Sequence, residues 1–145
     1  FKLSRIVRTI VLGVIIRNGK ILIGKKQKGY HPMNLGGKWH VIGGKVEENE
    51  TEEEAIKREI KEETGLEIKI LEKVGEKMVD VEGKKIKIVT FVCEAKEGKP
   101  VAKSDLVDIK WVEVNDLLKN ICEESKQMLP ENIKLKLTQT KHSLI

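Results

Sequence analysis

The segment from Gly43 to Leu66 constrains this chain more than any other, because it encodes a helix whose acidic residues lie on the face that should be buried. Thr51 with Glu54 three positions on makes a capping box, and acidic residues fill the first turn. Gly65 sits where a left-handed C-terminal residue belongs, so the spacing predicts a helix from Thr51 to Thr64. Residues three and four apart share a helix face, which groups Glu59, Glu62 and Glu63. On the same wheel Ala55, Ile56 and Ile60 overlap that group, while Glu54, Lys57 and Lys61 gather on the opposite side. A solvated acidic face would be arranged the other way round. Three carboxylates held together at a partly buried edge repel one another and are tolerated where cations bind among them.

The ligand chemistry narrows the cation. The segment offers hard carboxylate oxygens and neither Cys nor His, which suits Mg²⁺, with Mn²⁺ as the alternative, and not zinc. His31, His40 and His142 form no zinc spacing. Mg²⁺ keeps waters and bridges carboxylates to phosphate oxygens, so the expected substrate is a small phosphate compound. Gly43 and Gly44, just before the acidic segment, let the backbone approach a metal or phosphate closely.

Around this helix the pattern is largely β. Val7 to Ile16 reads as a strand, Asn18-Gly19 as a type I′ hairpin turn, and Lys20 to Lys26 as the returning strand. Lys38 to Ile42 is a short strand running into the glycine pair. Leu66 to Lys73 and Lys77 to Glu82 read as two strands, Glu82-Gly83 as a turn, Lys85 to Cys93 and Asp108 to Val114 as two more. Asn115 is expected to cap a helix through Leu118. This interleaving implies α+β or a mixed α/β sandwich, and 145 residues suit one domain, 1–145.

Composition excludes other classes. Charged residues reach 35%, but the β-branched runs argue for a packed core and against disorder. No apolar run approaches the roughly 20 residues of a membrane span. No basic stretch followed by an apolar run is visible at the amino terminus, and Cys93 and Cys122 form no metal or redox spacing. The expectation is therefore a cytoplasmic protein. The net charge of +5 conceals an acidic segment, Glu47–Leu66, within an otherwise strongly basic chain: a cation site inside a surface that attracts anions. Nucleic acid is disfavoured as a partner, because the few aromatic residues are not interleaved with a basic run.

From Gly44 the chain resembles the Nudix box, GX5EX7REUXEEXGU with U aliphatic: Gly44, Glu50, Arg58, Glu59, Ile60, Glu62, Glu63, Gly65 and Leu66 all match. The resemblance implies an α/β fold, the Nudix-type α/β/α sandwich with a mixed sheet and a catalytic loop–helix. It implies hydrolysis of a pyrophosphate bond in a nucleoside diphosphate linked to another group. In family terms the Gly43 carbonyl, Glu59, Glu62 and Glu63 bind or organise divalent ions, and Glu59 is the chosen proton acceptor among the box carboxylates. Glu62 and Arg58 act beside it, and Glu50 and Arg58 support the geometry through a salt bridge, with Gly44 and Gly65 shaping the loop and helix end. Lys45 and Lys25 are expected to hold phosphates, as Lys26 and Lys38 could.

Residues Gly37 to Glu47 are similar to the MutT branch, especially the oxidised-purine triphosphatases with G-x-W-N-x-x-G-G-K-V, and His40 stands where those enzymes have asparagine. Met128-Leu129-Pro130-Glu131-Asn132 is similar to their M-W-P-D-D stretch, which nominates Glu131 and Asn132 for base recognition. Asp105 is similar in placement to a late metal carboxylate of MutT, with Asp108 as its rival. The resemblance thus implies a nucleoside triphosphate pyrophosphohydrolase, with ADP-ribose or another nucleotide sugar as the alternative substrate. A non-catalytic nucleotide- or RNA-binding module of the same fold is a further alternative, and a homodimer is one option for assembly.

Overall fold

A computed structural model describes residues 5–143, with side chains through 139; the side chain of His142 lies outside the described residues. Six strands form one mixed sheet: β1 (Ile6–Arg17), β2 (Lys20–Lys26), β3 (Trp39–Lys45), β4 (Ile68–Val81), β5 (Lys84–Ala95) and β6 (Leu106–Glu113), in the spatial order β4-β5-β1-β3-β2-β6. β1 runs parallel to β5 and every other pairing is antiparallel. β1 is central and buried on both faces, which is why it reads as a near-continuous apolar run. Its Ile10, Leu12, Val14 and Ile16 join one core, and Val11 and Ile15 the other.

Helix α1 (Glu52–Thr64) covers the second core, and α2 (Leu117–Asn120), α3 (Glu123–Met128) and α4 (Ile133–Ser143) bring Leu117, Met128, Ile133 and Leu137 to the first. The result is a sheet between helical layers, the expected α/β sandwich. α1 lies close to the sheet because β1 has no side chain beneath it: a Cβ on Gly13 would stand 2.7 Å from Ile60 Cδ1. Among the described residues no helix is long and apolar enough to cross a membrane.

The helix begins and ends as its sequence dictates. Thr51 Oγ1 accepts from the Glu54 N–H at 3.1 Å, Glu54 Oε1 accepts from the Thr51 N–H at 2.9 Å, and Gly65 closes the helix at φ 79°. The hairpin turn likewise holds Asn18 and Gly19 at φ 52° and 75°.

Three expectations fail for physical reasons. The two strands expected at Leu66–Lys73 and Lys77–Glu82 are one, β4. Register shifts at Ile70/Glu72 and Lys73/Gly75 absorb the irregular stretch while β5 pairs along its whole length. Gly43 and Gly44 belong to β3, so the strand expected to end at Ile42 runs on to Lys45. Asn115 caps no helix; it lies in a 3₁₀ turn, Val114–Asp116, anchored by buried Val114 and followed by α2, whose Leu117 is also buried.

Candidate active site

The face expected from helical spacing is realised on α1. Ala55, Ile56 and Ile60 are fully buried, Lys57 and Lys61 face solvent, and the acids lie along the boundary. The Glu63 side chain is 4% exposed and Glu59 15%, whereas Glu62 is 53% exposed. Glu59 lies against β3 so closely that a Cβ on Gly44 would stand 2.3 Å from its carboxyl carbon. Only glycine leaves room for that carboxylate at this strand position.

Arg58 fixes the acidic edge. Its Nε and Nη2 donate to the two oxygens of Glu50 at 2.6 and 2.9 Å, a bidentate pair. Nη2 also donates to the Lys45 carbonyl at 3.0 Å, and Nη1 to Glu59 and Glu62 at 3.0 and 3.2 Å. One guanidinium therefore ties the end of β3, the loop before α1 and two helix carboxylates together. Its hydrogen bond holds Glu50 well below the usual carboxylate range, at about 2, while the same bond raises Arg58 itself. Glu59 moves the other way: burial raises it more than Arg58 lowers it.

Glu63 is the most perturbed acid. Burial pushes it up to about 8 despite the nearby charge of Lys26. Lys26, itself buried, places Nζ 3.0 Å from Asp105 Oδ2 and 3.8 Å from Glu63 Oε1. Burial alone would raise Asp105, but its hydrogen bond and ion pair with Lys26 bring it below its ordinary value. Glu63 Oε2 is buried without a hydrogen-bond partner.

These groups line a single cavity of about 300 Å³, which gathers His40, Gly43, Gly44, Lys45, Glu59, Glu62, Glu63 and Asp105 from the residues singled out in sequence. Glu50 and Arg58 stand behind the cavity wall and Gly65 ends the helix. Ile10, Leu12, Leu35 and Met128 give the cavity an apolar side. His40 is buried beside them. Its Nδ1 donates to the Val41 carbonyl at 2.9 Å, so the neutral ring leaves Nε2 as an acceptor, buried and unpartnered. Burial lowers its pKa to about 4 and keeps the ring neutral. Ser125 Oγ accepts from the Val41 N–H at 3.0 Å, which fastens α3 to this strand.

The structure leaves other nominated residues outside. Lys25 neighbours Lys26 on β2, and successive strand residues point to opposite faces, so Lys26 lines the cavity and Lys25 does not. Glu131 and Asn132 are exposed beyond Pro130 and absent from the cavity wall, because Met128 and Leu129 are the residues of that stretch turned inward. Asp108 is exposed and accepts from the Ile109 N–H at 2.8 Å. Lys38 pairs with Glu124 at 2.8 Å. Trp39 and Trp111 pack against the two cores.

Sequence reasoning missed the cavity roles of Arg8, His31 and Ser104. Arg8 carried a usable signal, since it shares strand parity with Ile10 and Leu12; His31 and Ser104 sit in loops and carried none.

The donor set fits a hard divalent cation: it is all oxygen, and buried Glu63 Oε2 lacks any partner. Among the described residues no three acidic, histidine or cysteine side chains already converge on one point. Instead Arg58 and Lys26 supply the positive charge that the carboxylates require.

The NUDIX domain family model matches residues 7–131. The oxidized purine nucleoside triphosphate hydrolase of Danio rerio is 31% identical over 112 residues, which cover 76% of this chain and 69% of that protein. The 8-oxo-dGTP diphosphatase of Buchnera aphidicola is 37% identical over 108 residues, 74% of this chain and 78% of the relative. In fold, the chain is similar to the crystal structure of the MutT protein from Methanosarcina mazei Go1, with a TM-score of 0.76 at 19% identity across 97% of this chain and 99% of that one.

Proposed function

This chain belongs to the Nudix family, and from that membership we propose that it is a nucleoside triphosphate pyrophosphohydrolase, cleaving (d)NTP to a monophosphate and pyrophosphate in the presence of Mg²⁺, with Mn²⁺ as a substitute. Oxidised purine nucleotides are the natural first substrates to test, given the names of the relatives. The observation that carries the reading is the union, in one cavity, of a carboxylate edge with an apolar wall. The first suits a phosphate chain bridged to it by divalent ions and the second a nucleobase.

Glu59, Glu62 and Glu63, with Asp105 and the Gly43 carbonyl, are the oxygens that would hold the divalent ions. A bound ion supplies neutralisation of phosphate charge and acidifies water for attack on phosphorus. Arg58, fixed by Glu50, positions Glu59 and Glu62. Glu59 takes the proton of the attacking water as the new P–O bond forms and the bridging P–O bond breaks; burial, which raises its proton affinity, favours that role. Lys45 meets phosphate oxygens at the cavity, and His40 Nε2 accepts a hydrogen bond from the base. Cys93 and Cys122 are both free thiols, which agrees with a cytoplasmic setting.

A panel of nucleotides incubated with Mg²⁺, with the products identified, tests the reading. Pyrophosphate plus monophosphate is expected; AMP plus ribose 5-phosphate would move the assignment to ADP-ribose. Glu62→Gln and Glu63→Gln should each lower turnover at least about a hundredfold without unfolding the protein. Unchanged rates in both would remove the carboxylates from the chemistry.

A further inference from the structure

The loop between β2 and β3 and the short helix α3 together make one side of the cavity. The loop contributes Met33 and Leu35, and α3 contributes Met128. Leu35 and Met128 are both buried and belong to one core, so the placement of loop against helix shapes the apolar wall. Neither piece lies in the sheet. α3 has six residues and no side-chain cap, too little to hold its own place. β3 anchors it instead: the Cys122 N–H donates to the Trp39 carbonyl at 2.9 Å, and Ser125 Oγ accepts from the Val41 N–H.

The loop is folded on itself. The Asn34 N–H donates to the His31 carbonyl at 2.9 Å, the Lys38 N–H donates to the Leu35 carbonyl at 3.1 Å, and Asn34 is left-handed at φ 59°. Asn34 Nδ2 and Lys38 Nζ then both donate to Glu124 Oε2 on α3, at 2.9 and 2.8 Å. One carboxylate oxygen thus collects donors from either side of Leu35. The Lys38 hydrogen bond holds the Glu124 carboxyl below the usual range, so it is ionised at neutral pH and both bonds are charge-assisted. Because β3 fixes α3 independently, Glu124 is the stationary partner and the loop is what it restrains.

We propose that Glu124 is a positioning residue: presented by α3, it holds the loop after β2 in place and so sets Leu35 against Met128 along the wall that receives the base. It stands outside the cavity lining and acts on substrate affinity, not on the chemical step at the carboxylate edge. The inference rests on the hydrolase reading only in taking that wall to be the base's.

Two measurements on the full chain test it. Hydrogen exchange read by mass spectrometry needs no ligand: amides of residues 33–38 should exchange about fivefold faster in Glu124→Ala, while those of β1 stay unchanged. In steady-state kinetics with a purine nucleoside triphosphate and Mg²⁺, KM should rise by about the same factor at a kcat within about twofold of wild type. Glu124→Gln, which keeps an acceptor oxygen, should recover part of both effects. Asn34→Gly, which keeps the left-handed backbone and leaves the carboxylate charge in place, should reproduce part of them, and its effect should shrink when combined with Glu124→Ala. Wild-type loop exchange in Glu124→Ala, or a fall in kcat at unchanged KM, would overturn the proposal. Should every nucleotide resist hydrolysis while loop exchange still depends on Glu124, the restraint is upheld and the hydrolase reading falls. Turnover whose KM ignores Glu124 does the reverse.

Discussion

Glu63 has the surroundings least like water of any acid in the site, and burial raises its hold on a proton. Its native pKa of about 8 lies above the ordinary 4.5 it regains on unfolding. Between those values the native state holds a proton that the unfolded chain releases. In chelator-treated protein the stability this group contributes is therefore complete below about pH 4.5 and is lost as pH rises toward 8, by roughly 1 kcal/mol per pH unit. Denaturation curves for wild type and Glu63→Gln across pH 5 to 8 should diverge accordingly, with the glutamine variant the flatter. A divalent ion must displace the same proton, so Mg²⁺ affinity should climb with pH up to about 8 and lose that slope in Glu63→Gln. The Glu59-Glu62-Glu63 trio was legible in sequence because helical spacing is a local property. The shift of Glu63 was not, since its burial and the charges of Lys26 and Asp105 that act on it come from parts of the chain far from it in sequence.

At the scale of elements, α1 separates stability from chemistry. Thr51→Ala removes the capping box and should cost about 1 kcal/mol, with little change in rate at room temperature. Gly44→Ala should do the opposite. Its Cβ would collide with the Glu59 carboxylate, so the rate should fall about tenfold or more while the melting temperature moves little. Steady-state kinetics beside thermal melts of both variants decide the point; equal rates in wild type and Gly44→Ala would remove the close contact. The helix could be read from its sequence to within a residue, because both caps are written in it. β4 could not, because its bulges are set by pairing with β5 and leave no mark in the residue pattern. Asn115 misled for a related reason: the buried Val114 and Leu117 determine where that turn lies, and the polar residue between them does not.

The whole molecule exists to bring the sheet, α1, the loop after β2 and the last helices to one cavity, and ligand binding should therefore be felt globally. A divalent ion that binds only the native state stabilises it by mass action, about 3 kcal/mol at a hundredfold excess over its Kd. Mg²⁺ should raise the melting temperature of wild type at pH 8 and leave Glu62→Gln and Glu63→Gln nearly unmoved; equal shifts in all three would place the ion elsewhere. By itself the sequence determined the central strands, the capped helix and the acidic edge, because each depends on residues within a few positions of one another. Only the tertiary structure decided that Lys26 and not Lys25 faces that edge, that Asp105 and not Asp108 joins it, and that Glu131 and Asn132 stay outside. It also decided that Arg8 and His31 line one cavity. The reason is physical: strand register and loop course bring residues together across distances over which local spacing carries no information.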